Sequence, residues 1–306
     1  MIETKNLTRK FGDLTAVDDL TIRVDDGEVF GFLGPNGAGK TTTIRMLACL
    51  ISKTSGTAKV AGYDIGKGTD QKKIRRAVGL VPDNVGLYEE LTAYKNLDFY
   101  GRYYKVEEPT RRERIEYFLK MLGLWERKDV AVGTFSKGMK QKLAIARALI
   151  HDPEVLFLDE PTANLDPEAA KTVRDFILDL KKGEKTIFLN THNLDEAQRI
   201  CDRIAILNNK LLAIGTPNDL EKAANGRKTV VQLESVSDAI VSAAKKAGAG
   251  GVEVVSGNKL VIKVGDPEKE NPDILGAIFA AGGRVQFVTE AGATLEEVYL
   301  KLVRGQ

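Results

Sequence analysis

The segment Gly34-Pro35-Asn36-Gly37-Ala38-Gly39-Lys40-Thr41 constrains this chain more than any other. It follows the apolar run Glu28–Leu33 and leads into residues 41–50, which read as a helix. A glycine-rich turn between a buried strand and a helix lets successive backbone N–H groups converge on an anion. The helix N-terminus adds its unpaired N–H groups and the positive end of its dipole. In the pattern G-x-x-x-x-G-K-[ST], Lys40 is expected to neutralise the β- and γ-phosphates of a nucleotide, and Thr41 to offer its hydroxyl to Mg²⁺. Gly34, Pro35, Asn36, Gly37, Ala38, Gly39, Lys40, Thr41 and Thr42 form the expected nucleotide-binding set. A chance glycine-rich turn is the competing reading, and the strand before and helix after it argue against that.

Two carboxylates follow the apolar run Val155–Leu158, namely Asp159 and Glu160. Successive residues leaving a strand point in different directions, so the pair can divide two tasks. Asp159 is expected to hold the metal, and Glu160 to act as general base on an attacking water. On its own this stretch reads better as a solvated acidic turn; downstream of a phosphate loop it does not. His192 follows another short apolar run, Thr186–Asn190, and is placed to hydrogen-bond a γ-phosphate. His151 has no such context and reads as structural.

The N-terminal part alternates β-like and helical runs, which indicates an α/β layer fold with ligand chemistry at the ends of its strands. Runs at 2–8, 20–24 and 57–61 suggest an antiparallel β subdomain beside this P-loop NTPase core. Residues 89–150 read as a helical insertion. The nucleotide-binding domain is expected over 1–220. A break near Gly215-Thr216-Pro217 precedes a tail, 227–306, whose β-α-β-β-α-β order is the signature of a small α+β, ferredoxin-like domain. With 43% hydrophobic residues in 306, there is material for such cores, and a net charge of +2 gives no case for nucleic-acid binding. No stretch is apolar enough for a membrane span, and the start lacks a secretory apolar run. A cytosolic location is therefore expected, with Cys49 and Cys201 as reduced, buried residues.

In this order, these residues resemble the nucleotide-binding subunits of ABC transporters. The match extends over about residues 2–220: the phosphate loop, the signature-like Phe135-Ser136-Lys137-Gly138-Met139, the acidic strand end at Asp159-Glu160, the turn Ala163-Asn164-Leu165-Asp166, and His192. The resemblance implies ATP and Mg²⁺ as cofactors and an ATPase activity in which Lys40, Glu160 and His192 take part. It implies that Phe11 stacks on adenine, where an ordinary core aromatic is the alternative. It also implies a head-to-tail dimer, of two copies or with a related ATPase subunit. There Ser136, Lys137, Gly138 and Met139 would complete the opposite subunit's site, and Asp166 would lie at the dimer seam. Ser136 is also simply a good helix N-cap.

Three departures from the family pattern stand out. The signature usually reads Leu-Ser-Gly-Gly-Gln, and here Lys137 and Met139 replace a glycine and the glutamine. Asn164 stands where a glycine is usual, and tolerates left-handed backbone. Asp83, after Val78–Pro82, occupies the place of a glutamine that touches metal and water and links the site to membrane subunits; as a carboxylate it can either ligate Mg²⁺ itself or repel the γ-phosphate and slow turnover, and Asn84, one position on, is the alternative source of an amide. The tail Thr294–Leu302 resembles the ending of ABC-2 type exporters, including drug-resistance exporters. Its apolar stripe of Leu295, Val298, Tyr299 and Leu302 faces either a partner or its own domain. The resulting expectation is the ATP-hydrolysing subunit of an ABC-2 type exporter. It would sit peripherally on the cytoplasmic face of the cell membrane and drive separate integral membrane permease subunits. The alternatives are a soluble ABC ATPase acting in translation or on DNA, and a binding-only regulator. One cassette, no long heptad run and no strong basic charge speak against the first alternative. Intact Lys40, Asp159, Glu160 and His192 speak against the second, whose best support is Asp83.

Overall fold

Strand order in the core sheet explains where the functional side chains meet. In the computed structural model, which describes residues 2–163, 165–225, 227–248, 250–255, 258–291 and 294–304, the chain forms two units, Met1–Thr216 and Pro217–Gln306. The core of the first is a six-stranded sheet in the order Lys210–Gly215, Arg203–Asn208, Val29–Leu33, Thr186–Thr191, Val155–Asp159, Val78–Val81. Its neighbours pair in parallel except for the hairpin Arg203–Asn208/Lys210–Gly215. Val29–Leu33, Val155–Asp159 and Thr186–Thr191 are buried along their whole length, as expected for parallel strands covered on both faces. Leu33 pairs with Thr191 and Asp159 with Asn190, so three loops leave the sheet side by side. These carry the glycine-rich loop, Glu160 and His192. Beneath them, the Phe188 ring packs on Phe32 and Phe157 with centroids 4.9 and 5.7 Å away. Each such buried ring contributes roughly 2–3 kcal/mol.

The second sheet of this unit runs Leu14–Leu20, Ile2–Phe11, Ser55–Val60, Tyr63–Asp64, with Arg23–Val24 paired to Ile2–Phe11. The run expected over 20–24 is instead the end of one strand and a separate short one. Asp19, at φ 55°, turns the backbone just ahead of the break. The helical region comprises Ala93–Tyr103, Glu108–Met121 and Lys137–Leu149. His151 has a packing role: its ring stacks on Tyr104 at 3.8 Å, and burial pushes its pKa down to about 4, so it is neutral near pH 7. Cys201 is buried, whereas Cys49 is only half-buried, and both are free thiols.

In the second unit the sheet order is Gly251–Val255, Lys259–Val264, Arg227–Leu233, Val285–Ala291, antiparallel throughout. With helices Asp238–Lys246 and Pro267–Ala280 this is the ferredoxin-like arrangement. The helix Leu295–Arg304 packs against Pro217–Asn225 within the same unit, burying Leu295 and Val298 and leaving Leu302 exposed.

Candidate functional site

The glycine-rich loop enters the helix Lys40–Leu47 through Gly39, whose φ is +91°. A Cβ there would lie 2.2 Å from the Ala16 carbonyl oxygen, so only glycine fits. Lys40 is 7% exposed and its Nζ donates to the carbonyl oxygens of Gly34 at 2.6 Å and Pro35 at 3.1 Å. Burial pushes the Lys40 ammonium down in pKa, and Glu160 and Asp159 oppose that push.

Around this loop lies a cleft of about 350 Å³. Residues 36–42 line it together with Asp83, Asp159, Glu160, Ala163, Asn190 and His192. Four stretches far apart in sequence are thus brought to one place by the strand pairing. Asp159 is buried and accepts hydrogen bonds from Thr41 and from the Asn190 amide. Burial pushes its carboxyl up in pKa, those two hydrogen bonds pull it down, and the Asp83 charge adds a smaller push up. The Thr41 hydroxyl and Asp159 carboxylate are hard oxygen donors in mutual contact. That set fits Mg²⁺, which takes one or two protein ligands and completes its shell with phosphate oxygens and water.

Glu160 has the left-handed φ of 51°, uncommon for a side chain of its size. Its N–H donates to the Asn190 carbonyl at 2.9 Å, and its carbonyl closes a turn by accepting from the Ala163 N–H at 3.1 Å. Such strain persists where the surroundings fix it, and it concentrates at functional sites. The Glu160 carboxylate meets the His192 ring: Nδ1 lies 2.8 Å from Oε2. A carboxylate only accepts, so Nδ1 donates, and Nε2 is the ring nitrogen left for another partner.

Other expected site residues lie outside this cleft. Phe11 ends the strand Ile2–Phe11 and is 44% exposed with the Arg9 guanidinium 4.3 Å over its ring, so the core-aromatic alternative does not hold. Ser136 caps the helix Lys137–Leu149, its hydroxyl accepting from the Met139 N–H at 3.2 Å. Gly138 is buried against the helix Pro167–Lys182, where a Cβ would lie 3.0 Å from the Ala169 Cβ. Asp166 caps that helix by accepting from the Ala169 N–H at 2.8 Å. Asn164, expected to tolerate left-handed backbone, lies outside the described residues. Lys137 lines a neighbouring cleft with Asp83 and Glu160, which brings two of the departures from the family pattern together.

Asn209, at the turn of the hairpin, is a site residue that no nucleotide-site motif marks. Its side-chain amide donates to the carbonyls of Ala16 at 3.1 Å and Gly37 at 3.3 Å, and its N–H to Ala38 at 3.1 Å. It therefore braces the loop from the next strand. The Asn-Asn pair between two β-like runs is the turn signal that marks it. Asn209→Asp keeps the residue's tolerance for its φ of 60° and removes the donors. It is expected to lower stability by about 1–3 kcal/mol, read from the urea midpoint. An unchanged midpoint would show that the brace contributes nothing.

A glycine-rich phosphate cradle on a parallel sheet, with an acidic strand end and a histidine beside it, defines a P-loop nucleotide-binding ATPase. The ABC transporter family model matches residues 17–163. The chain is 34% identical over 307 residues to the Nod factor export ATP-binding protein I of Cupriavidus metallidurans, spanning 99% of this chain and 97% of that one. It is 38% identical over 234 residues to the linearmycin resistance ATP-binding protein LnrL of Bacillus subtilis, covering 76% and 74%. A solved dimeric ATP-binding cassette in a post-hydrolysis state, bound to ADP and Pi, matches with a TM-score of 0.65 at 27% identity, over 71% of this chain and 98% of that one. The chain belongs to the ABC transporter family as an ATP-binding subunit, with ATP and Mg²⁺ as its cofactors.

Proposed function

We propose that the chain hydrolyses ATP to drive an exporter of the ABC-2 type, through integral membrane subunits on other chains. The observation that carries this reading is the likeness to an export ATP-binding protein along 99% of the chain, tail included. It would work peripherally at the cytoplasmic face of the membrane; among the described residues no helix is long and apolar enough to cross one.

In this reading Lys40 exchanges its loop carbonyls for phosphate oxygens. Thr41 and Asp159 would hold Mg²⁺, which supplies positive charge against the phosphates. Glu160, with Oε2 engaged by His192, uses Oε1 to accept the proton of the attacking water. His192 presents Nε2 to the γ-phosphate. Phe11 stacks on adenine. Ser136 and Gly138 of a second subunit close the site in trans, flanked by Lys137 and Met139, with Asp166 at the seam. The dimeric cassette among the solved relatives supports such an arrangement. That their side chains lie outside the subunit's own cleft, at the start of a helix, suits the same anion–helix attraction.

Asp83 takes the metal-and-water role of the usual glutamine. Asp83→Asn is expected to lower ATP turnover about three- to tenfold by removing a hard carboxylate ligand. Unaltered turnover and transport would refute that role. The segment after it is held by Arg147, whose guanidinium donates to the Val85 and Gly86 carbonyls. Beside it Tyr88 and Phe99 form an exposed aromatic pair, with ring centroids 5.0 Å apart. This exposed aromatic patch, on the segment that follows Asp83 and on the helix Ala93–Tyr103, is a docking surface for the membrane subunit in this reading. Purification of the chain from solubilised membranes tests it: an integral membrane protein should accompany the wild type and be lost with Phe99→Glu. Ribosomes in its place would favour the translation-associated alternative.

A further inference from the structure

Glu196 is 1% exposed, and its Oε1 has no hydrogen-bond partner. A buried carboxylate with half its acceptor capacity unmet costs stability. Burial pushes its pKa up. An apolar residue would fill this place on the helix Leu194–Ile200 at lower cost, so the carboxyl calls for a reason.

Its spacing from Asn193 is that of a capping box, in which a glutamate reaches back to the N-cap N–H. The structure departs from that pattern. The Asn193 side chain does accept from the Glu196 N–H, at 3.1 Å. The Asn193 N–H, however, donates to the Thr191 hydroxyl oxygen at 3.0 Å, and that hydroxyl in turn donates to Glu196 Oε2 at 2.9 Å. Both chain neighbours of His192 are thereby held in one network anchored on Glu196. The Thr162 hydroxyl also interacts with this carboxyl and favours its charged form. Thr162 lies in the turn that begins at Glu160 and closes at Ala163. One buried carboxyl thus touches both segments whose side chains meet in the Glu160–His192 contact.

We propose that Glu196 is a positioning residue: through the Thr191 and Thr162 hydroxyls it ties the strand end bearing His192 to the turn bearing Glu160. This rests on the reading of Glu160 as the base. The network acts on the placement of Glu160 and His192 and leaves the phosphate loop alone, so it should affect turnover far more than ATP affinity.

The test uses the full chain with Glu196→Ala, Glu196→Gln, Thr162→Val and the Glu196→Ala/Thr162→Val double variant. ATP affinity is measured without turnover, alongside kcat, KM and the melting midpoint. Glu196→Ala is expected to lower kcat about tenfold or more with affinity and KM within about threefold. Glu196→Gln is expected to restore most of the rate, because an amide can accept from Thr191 and donate to Thr162. Thr162→Val is expected to be slower than wild type, and the double variant no slower than Glu196→Ala, since the two residues act through one link. An unchanged kcat in Glu196→Ala overturns the proposal. So does a loss of kcat that tracks an equal loss of affinity and melting midpoint, or additive losses in the double variant. Should Glu196→Ala fail to fold, the kcat-against-KM split of Thr162→Val decides the matter. A fully active Glu160→Gln variant would remove the underlying reading; a slow Glu160→Gln beside a normal Glu196→Ala would remove the positioning role alone.

Discussion

Replacing Glu160 with glutamine is expected to cut ATP turnover by about a hundredfold or more while leaving ATP affinity near that of the wild type. The substitution keeps size and hydrogen-bonding shape and removes the one property a base needs, an unprotonated carboxylate. It also leaves the backbone hydrogen bonds of Glu160 to Asn190 and Ala163, which hold its left-handed φ, untouched. The phosphate cradle is built from other residues, so binding should survive. Single-turnover kinetics beside equilibrium binding separate the two. Turnover within about threefold of wild type would mean that Glu160 is not the base.

Lys40→Ala is expected to weaken ATP binding about tenfold to a hundredfold. The cleft presents Asp83, Asp159 and Glu160 to the nucleotide, and Lys40 is the loop's only cation among its described lining residues. Removing it leaves a negatively charged cleft facing a triphosphate. Because Lys40 is buried, water does little to screen the loss. Titration of ATP at fixed ionic strength reads the effect, and an unchanged affinity would contradict the assignment.

The parts of the site legible in the sequence are those whose chemistry is local. Gly34–Thr41 declares a phosphate loop because glycine spacing, lysine and hydroxyl all serve one anion, and the structure adds the close approach of Ala16 to Gly39. Asp159, Glu160 and His192 were legible as strand-end residues, since apolar runs end abruptly in polar ones. Their contact was not, because it depends on which strands are neighbours. Ser136 and Asp166 are legible as helix caps from residue type alone. Four residues, Val78–Val81, are too short a run for periodicity to declare a strand, and the edge strand Lys210–Gly215 of the hairpin alternates only between exposed and half-buried residues, which weakens its signal. The hairpin's turn residue, Asn209, reaches the phosphate loop across some 170 positions of chain, a placement only the folded sheet supplies. Glu196 was invisible for a related reason: its sequence position suggests an ordinary capping box, and its carboxyl turns inward to Thr191 instead.

In the proposed mechanism hydrolysis occurs in a site shared between two subunits, with the Ser136–Met139 segment of one facing the phosphate loop of the other. The most direct measurement is the solution mass of the Glu160→Gln protein with and without ATP and Mg²⁺. A monomer without nucleotide and a stable dimer with ATP, abolished by Ser136→Arg, is the expected result. A Glu160→Gln protein that binds ATP fully and stays monomeric, or a wild-type monomer whose turnover per chain is independent of its concentration, would contradict it.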